Sequence, residues 1–488
     1  MSNSQIAESS GTGTCPPVAT QQHKGNGKAN GSAESSLIEP ARVTTDFADL
    51  PDGTFLELVR PEGSGWNKFK FLSWNAGTSS IVDSFRHGDN LLVPPKLDER
   101  LHRNLNLRLP TGVGNLLNAR RLFVFICEFI REFIGLPEAS ICLTAAFVLA
   151  TWFIEKLLFA PYLCISGPDE SGKTNLLRLL HCLCRRSVLI AGGIPPAIYP
   201  LPALLRPTLL FDELPFNGTR KAQALECWLR AGSAPGVPVV MGGELVDSFG
   251  AKVLCSRQPV VDTALASRAL HISMVPRDDK HVRLLPEDTL QEIAAHFQSL
   301  LLTFRLVHYR EFDIRRPPEF TPRMQALAGA LMLPFREDQE TMLALTEALR
   351  EQDRDARLER DNEPSYLVVR ALFEVCHEEK ESAEKAPKVL CGHIAKRLNF
   401  TLHAIGEAEL DPRAVGPILK SLGLTTGRLG SVGRGIKLTS AVRARVHELA
   451  QAYSLHPGSQ AKFAGCGLCT KIFGGNGQSQ PEPNESKK

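Results

Sequence analysis

A glycine-bounded loop, placed between an apolar strand and a helical run, leaves few folds open to this sequence. The loop runs from Gly167 to Thr174 with the sequence GPDESGKT, and the apolar segment before it is Pro161 to Ser166. Glycine permits backbone conformations and close approaches that a side chain would block. The spacing G-x-x-x-x-G-K-[ST] turns backbone N–H groups inward around a polyphosphate, at the positive end of the following helix. The pattern therefore predicts a phosphate-binding loop within an α/β domain.

Every residue of this loop is a candidate ligand of ATP. The candidates are Gly167, Pro168, Asp169, Glu170, Ser171, Gly172, Lys173 and Thr174. We expect Lys173 to reach the β- and γ-phosphates and the Thr174 hydroxyl to coordinate Mg²⁺. A tight strand-to-helix turn without a ligand is the alternative, but nothing in such a turn requires lysine followed by threonine.

A second apolar segment ends in two acidic residues. The run Pro207 to Phe211 is followed directly by Asp212 and Glu213. Nucleotide hydrolysis needs a carboxylate near the metal and a base that accepts a proton from the attacking water. We assign the metal-side role to Asp212 and the base to Glu213, provided that Glu213 faces the γ-phosphate. The alternative is a strand that simply ends in solvent.

Three more apolar segments extend this pattern, and helical runs separate them. They are Ser187–Ala191, Lys252–Ser256 and Ala269–Met274. Five such strands with intervening helices predict a parallel sheet covered on both faces. The nucleotide should lie beyond the carboxyl ends of the strands, where Lys173, Asp212 and Ser256 would converge.

Two arginines are candidates to complete the site. Arg268 directly precedes the last strand, so we expect it at the sheet edge, where it can act on ATP held by a neighbouring subunit. The alternative is a surface arginine paired with Asp262 or Asp278. Arg323, at the start of a helix after the sheet, is placed to contact the nucleotide from a lid.

The carboxy-terminal part combines a helical pattern, a second helix opened by Asp411 and Pro412, and two extended pieces around a glycine-rich turn. This order resembles a winged helix, a fold that commonly sets its second helix in the major groove of DNA. Between Pro412 and His447 there is no acidic residue, and the basic residues are Arg413, Lys420, Arg428, Arg434, Lys437, Arg443 and Arg445. We expect this cluster to bind DNA. A protein-interaction or lid-packing module is the alternative.

Composition divides the chain into segments. We predict a disordered tail at 1–40, a small β-rich module at 41–110, a helical segment at 111–160, the ATPase core at 161–280, a helical lid or linker at 281–363, a winged-helix-like domain at 364–454 and a disordered tail at 455–488. In the β-rich module, Trp66, Phe69, Phe71 and Trp74 stand beside Lys68 and Lys70. They favour a half-buried hairpin face over a surface that stacks on single-stranded nucleic acid.

Charge and cysteine usage exclude several classes of protein. The net charge of +3 excludes a global basic field. Most of the 12 cysteines lie inside apolar segments, as expected of free buried thiols, and no secretory leader is evident. We therefore expect a cytoplasmic protein without a membrane partner. Cys466 and Cys469, with His456 nearby, offer at most three zinc ligands, which does not predict a zinc site.

The motifs together resemble those of bacterial P-loop ATPases from plasmid, phage and mobile-element loci, often described as helicase- or primase-associated. The likeness covers Leu143 to Leu333 and rests on these segments: Thr151-Trp152, Pro161–Leu163, Ser166-Gly167, Ser171–Thr174, Pro207–Glu213, Gly250–Leu254, Asp262 and Ala264–Arg268. It implies an AAA+-like or related additional-strand core, a homo-oligomer that can be a hexameric ring, and Arg268 as an arginine finger.

The expected function is that of an ATP-hydrolysing, DNA-dependent oligomeric motor of the helicase type, acting in mobile-element replication. Two other functions stay open. One is a nucleotide-controlled DNA-binding regulator with little hydrolysis, and the other is a P-loop kinase. The kinase is disfavoured because the Asp212-Glu213 pair suits activation of water.

Overall fold

The computed structural model describes residues 40–63, 68–97, 105–191, 198–214, 220–260, 262–276, 285–361, 363–378, 386–404, 409–431, 433–453, 455, 463 and 466–473. Of the predicted tail at 1–40, only Pro40 lies among them, so that prediction falls almost entirely outside the described residues. In the tail predicted at 455–488, residues Gly467–Phe473 form a helix, so disorder was the wrong expectation for that stretch.

The amino-terminal module consists of seven short strands. They are β1 (Ala41–Thr44), β2 (Phe47–Asp49), β3 (Phe55–Val59), β4 (Lys70–Asn75), β5 (Thr78–Val82), β6 (Phe85–His87) and β7 (Asn90–Val93). Strands β2 to β5 pair in chain order as an antiparallel sheet, while β7 lies between β1 and β6. Phe71 is fully buried and Phe69 nearly so, which closes both rings to stacking on nucleic acid; Trp66 lies outside the described residues.

Two helices, α1 (Ala119–Phe133) and α2 (Glu138–Thr151), lead into the parallel-sheet core. Helix α2 is apolar on all sides and is buried over most of its length, because α1 and later helices surround it. Among the described residues, no helix combines the length and the apolar character needed to cross a bilayer.

The core is a five-stranded parallel sheet, as the sequence predicts. Its strands are β8 (Tyr162–Ser166), β9 (Val188–Ala191), β10 (Leu209–Asp212), β13 (Lys252–Ser256) and β14 (Ala269–Ser273). They lie in the order β14-β8-β13-β10-β9. Strand β13 therefore lies between the loop strand β8 and the acidic strand β10. Most residues of these strands are buried, as expected of a parallel sheet packed between helices.

Short elements connect the strands of the core. Helix α3 (Lys173–Leu183) follows the glycine-bounded loop. The others, in chain order, are α4 (Leu201–Leu205), α5 (Arg220–Ala231), the hairpin β11 (Val239–Met241) and β12 (Glu244–Val246), and α6 (Thr263–Ala266).

Two hydrophobic cores divide the described chain. The first runs without a break from the amino-terminal strands through the sheet to helices α7 (Glu287–His308), α8 (Pro322–Leu331) and α9 (Gln339–Asp361). The second comprises buried residues between Tyr366 and Cys469. The β-rich module thus packs against the parallel-sheet core, whereas the carboxy-terminal segment has a core of its own.

The carboxy-terminal segment places a three-stranded antiparallel sheet among helices. In chain order its elements are α10 (Pro364–Glu378), β15 (Lys388–Leu390), α11 (Cys391–Ala404), α12 (Pro412–Ser421), β16 (Gly427–Arg428), β17 (Arg434–Lys437), α13 (Ser440–Ala452) and α14 (Gly467–Phe473). The sheet order is β15-β17-β16. Asp411 caps α12 as predicted, because its side chain accepts a hydrogen bond from the backbone N–H of Arg413 at 2.8 Å.

A buried network of charges ties the β-rich module to the core. Glu57 on β3 accepts from Arg185 at 2.8 Å and from Arg305 at 2.9 Å, and it also contacts Arg186. Glu155 lies 2.8 Å from Arg185 and 3.0 Å from Arg305. Arg185 and Arg186 stand between α3 and β9, so this network anchors the carboxyl end of the helix that follows the loop. Asp46, which also contacts Arg186, balances the third positive charge.

Candidate nucleotide-binding site

The loop from Gly167 to Thr174 wraps the amino end of α3, and its two glycines are sterically required. A Cβ atom on Gly167 would lie 2.2 Å from the backbone oxygen of Met274, so no side chain fits there. Gly172 immediately precedes the helix with a φ of 88°, a conformation that residues with side chains rarely adopt. Both positions therefore require glycine, as the spacing of the pattern predicts.

Lys173 is held against the backbone of this loop. Its Nζ donates to the carbonyl oxygens of Gly167 at 2.7 Å and Pro168 at 2.5 Å, and it lies 3.3 Å from Ser171 Oγ. Lys173 is only 8% exposed. These contacts fix the ammonium group within the loop, where the phosphates of a nucleotide would lie.

Thr174 and Asp212 meet across the gap between α3 and β10. The Thr174 hydroxyl lies 3.3 Å from Asp212 Oδ2, and both groups are hard oxygen donors of the kind that Mg²⁺ prefers. Cys255 lies near the end of β13 and adjoins the same site. Burial and, to a smaller extent, the charge of Asp212 raise the pKa of its thiol to about 12, while the charge of Lys173 opposes this rise. The residues present therefore fit a magnesium ion beside the loop.

Glu213 follows β10 with a φ of 54°, so its side chain leaves the strand direction. Its carboxylate lies 3.3 Å from Arg257 Nε, which is also 3.3 Å from Asp169 in the loop. All three side chains are more than half exposed, so these ion pairs contribute little to stability. They do show that Glu213 and the loop border the same space.

Arg257 is a charged residue of this edge that sequence reasoning missed. It follows Ser256, the last residue of β13, whose hydroxyl donates to the carbonyl of Gln258 at 2.5 Å. Ser256 ends its strand in register with Ser166 of β8, so it lies at the loop end of the sheet as expected. The sequence signal for Arg257 was its position directly after a strand that is predicted to end at the site.

Arg268 lies at the opposite end of the sheet from the loop of its own chain. Ala269, the next residue, pairs with Tyr162 at the start of β8, whereas the loop follows Ser166 at the other end. Arg268 Nε donates to Ser233 Oγ at 3.1 Å, and another nitrogen donates to the Ala264 carbonyl. Within one chain, Arg268 therefore does not reach the site that Lys173 occupies.

Arg323 lies near Arg268, not near the loop. Burial and then the charge of Arg323 lower the pKa of the Arg268 guanidinium, which requires the two groups to be close. The structure thus does not bring Arg323 to the nucleotide site of its own chain. Asp262, the suggested surface partner of Arg268, lies 3.6 Å from Arg230 and caps α6, while Asp278 is outside the described residues.

The basic cluster of the carboxy-terminal segment is smaller than its sequence indicates. Arg443 is buried and donates to the carbonyl of Cys376, so it belongs to the core and not to a DNA-binding surface. Arg445 is exposed but lies 3.1 Å from Glu448. The remaining exposed basic residues are Arg413, Lys420, Arg428, Arg434 and Lys437.

Comparisons with known proteins found only solved structures of low structural similarity to this chain. No family model matches the chain, and no curated protein matches it. Among solved structures, the NrS-1 C-terminal region is 10% identical, with 79% of this chain and 96% of that chain covered and a TM-score of 0.33. The JCV helicase is 17% identical, with 45% and 67% covered and a TM-score of 0.23.

A third solved structure, the Aeropyrum pernix ORC1 protein in complex with DNA, is 16% identical, with 67% of this chain and 97% of that chain covered and a TM-score of 0.20. Superpositions of this quality carry no functional argument. The class of fold is assigned from the structure of this chain. Its mixed α/β core has a five-stranded parallel sheet and a glycine-bounded loop, which fit a P-loop NTPase.

Proposed function

We propose that this chain binds and hydrolyses ATP as a DNA-dependent oligomeric motor of the helicase type. The observation that carries the proposal is the meeting of Lys173, Thr174 and Asp212 at the carboxyl edge of the parallel sheet, with Glu213 beside them. The setting in plasmid, phage or mobile-element replication rests on the resemblance of the sequence motifs.

Each side chain has a distinct task in the proposed reaction. Lys173 binds the β- and γ-phosphates, and the loop amides orient them at the end of α3. Thr174 and Asp212 hold Mg²⁺, which when bound neutralises charge on the phosphate oxygens. Glu213 accepts the proton of the attacking water. Arg257 pairs with the Glu213 carboxylate and with Asp169, and so holds Glu213 beside the loop.

Arg268 is proposed to act on the nucleotide of a neighbouring subunit. Arg268 lies at the end of the sheet opposite to the loop of its own chain, so it does not reach a nucleotide held there. A role in hydrolysis therefore requires an assembly that brings this end of the sheet against the loop of the next chain. Arg323 lies close to it, and we propose that it contacts the same neighbouring nucleotide. Such an assembly is a ring or filament of identical subunits.

We expect Arg268→Ala to lower the rate of ATP hydrolysis by about 10³-fold while ATP binding is retained, because an arginine in trans acts on the transition state. The decisive measurement mixes Arg268→Ala with Lys173→Ala protein. Each variant supplies what the other lacks, so turnover should recover at mixed interfaces. If gel filtration shows mixed assemblies and turnover does not recover, the finger does not cross between subunits.

DNA binding is proposed for the carboxy-terminal segment. The order α10, β15, α11, α12, β16 and β17, with a three-stranded antiparallel sheet, supports a winged helix. Five exposed basic residues, two on α12 and three on the two strands of the hairpin, supply the positive charge. In this arrangement α12 would enter the major groove, and the hairpin would contact the backbone.

The proposed function is tested by ATPase assays with and without DNA. Turnover should rise on adding DNA, and Arg413→Ala with Lys420→Ala should abolish the rise and reduce the salt dependence of binding by about one unit per lost phosphate contact. Arg354→Ala, which removes an exposed arginine of α9, is the matched control. Tight duplex binding without turnover would instead indicate a regulator, and DNA-independent turnover would contradict a DNA motor.

A further inference from the structure

Four nitrogen- and sulfur-bearing side chains converge inside the carboxy-terminal segment, far along the chain from the nucleotide site. They are His377 on α10, His447 on α13, Cys466 just before α14 and Cys469 on α14. Their candidate ligand atoms all lie within 4.8 Å of one another. The sequence pattern indicates only the two cysteines and His456, and His456 lies outside the described residues. The two histidines come from helices that are distant in sequence.

The spacing of these atoms matches a tetrahedral metal site. His377 Nε2 lies 3.1 Å from Cys469 Sγ, the two histidine Nε2 atoms are 3.3 Å apart, and Cys466 Sγ lies 3.4 Å from His447 Nε2. Zinc bonds of roughly 2.0–2.1 Å to nitrogen and roughly 2.3 Å to sulfur place tetrahedral ligands roughly 3.3–3.8 Å from one another. The cluster thus needs little adjustment to enclose one ion.

The orientation of both imidazoles is set for a metal. His377 Nδ1 lies 2.6 Å from the carbonyl oxygen of Phe373, and His447 Nδ1 lies 2.7 Å from that of Arg443. A carbonyl oxygen can only accept, so each Nδ1 carries a proton and each ring directs its Nε2 atom into the cluster. Backbone carbonyls commonly fix zinc-binding histidines in this way.

The donor set and its enclosure select the kind of ion. Two imidazoles and two thiolates suit zinc and not magnesium or calcium, which take oxygen ligands. His447 and Cys469 are buried, and the other two ligands are partly buried. Because the protein itself fills four positions, the site is closed, as in structural and not catalytic zinc sites.

We propose that His377, His447, Cys466 and Cys469 bind one structural Zn²⁺ ion. The ion would join α10, α13 and the carboxy-terminal helix α14 into one unit. Helix α14 has only seven residues, too few for a stable isolated helix, so a metal anchor explains why it packs on the second hydrophobic core. This inference does not depend on ATP hydrolysis.

The test begins with the metal content of full-length protein purified without a chelator. We expect about one zinc ion per chain. Cys466→Ser with Cys469→Ser should reduce the zinc content to near zero. Cys227→Ser, which removes an exposed cysteine outside the cluster, should keep it. Replacement of the ion by Co²⁺ should give the intense absorption of a tetrahedral site and a thiolate charge-transfer band.

A second readout applies if the double cysteine variant does not fold. Zinc released from wild-type protein by a thiol-modifying reagent should appear in step with loss of two thiols and should lower the melting temperature. Zinc content no higher than in the folded cysteine variant, a cobalt spectrum without thiolate bands, or a disulfide between Cys466 and Cys469 in freshly purified protein would each overturn the proposal.

Discussion

Glu213→Gln should lower the rate of ATP hydrolysis by about 10²- to 10⁴-fold and leave ATP binding nearly unchanged. Glutamine has almost the same shape as glutamate but cannot take the proton from water. Glu213 follows the metal-side carboxylate of Asp212, and it borders the loop through Arg257. Phosphate release under saturating ATP measures the rate of hydrolysis, and retention of labelled nucleotide measures ATP binding.

A control variant distinguishes the loss of the proton acceptor from a change in the position of Arg257. Asp169 contacts the same arginine at 3.3 Å but has no proposed role as a base. We expect Asp169→Asn to change turnover by less than about tenfold, since it removes only an exposed ion pair. Normal hydrolysis by Glu213→Gln would show that another group activates water. Equal losses in both variants would assign the effect to Arg257.

Glu57→Gln should reduce the free energy of unfolding by about 3–5 kcal/mol at neutral pH. The carboxylate is buried and faces three arginines, so its removal leaves uncompensated positive charge in the core. Chemical denaturation followed by tryptophan fluorescence measures the change. Glu62→Gln, at an exposed position of the same module, should change stability by less than about 0.5 kcal/mol.

The same network predicts how stability depends on pH. Burial alone would raise the pKa of Glu57, but Arg185, Arg186 and Arg305 outweigh it, and the net pKa lies well below its usual value of 4.5. A lowered pKa in the folded state gives a stabilisation that is present above pH 4.5 and is lost as the pH falls through the folded pKa. The difference between wild type and Glu57→Gln should therefore shrink in acid. A difference that stays constant, or a variant as stable as wild type at neutral pH, would contradict a stabilising network.

Local patterns predicted where the loop and Asp212 lie in the fold, because these parts are short and continuous. The loop at Gly167 to Thr174 has a fixed spacing, and Asp212 ends an apolar strand, so parallel pairing brings both to one edge. The cap of α12 at Asp411 is equally local. Each of these predictions needs only neighbouring residues and one general rule of sheet geometry.

Features that join distant segments escaped the same reasoning. Glu57 is a lone carboxylate in an otherwise apolar strand, and its buried partners are arginines far along the chain that no local pattern indicates. Arg443 carries the charge expected of a DNA contact, but its side chain points into the second hydrophobic core, where it donates to the carbonyl of Cys376. His377 and His447 meet the two cysteines only because helices α10 and α13 pack together.

The central claim is that the loop of Gly167 to Thr174 captures the phosphates of ATP, and binding of Mg²⁺-ATP to purified full-length protein tests it most directly. Titration calorimetry should show saturable binding at or below millimolar nucleotide, and the binding should weaken without Mg²⁺ and disappear in Lys173→Ala. A wild-type protein that is folded by circular dichroism and takes up no nucleotide at millimolar concentration would contradict the account. Equal binding by wild type and Lys173→Ala would place the nucleotide elsewhere.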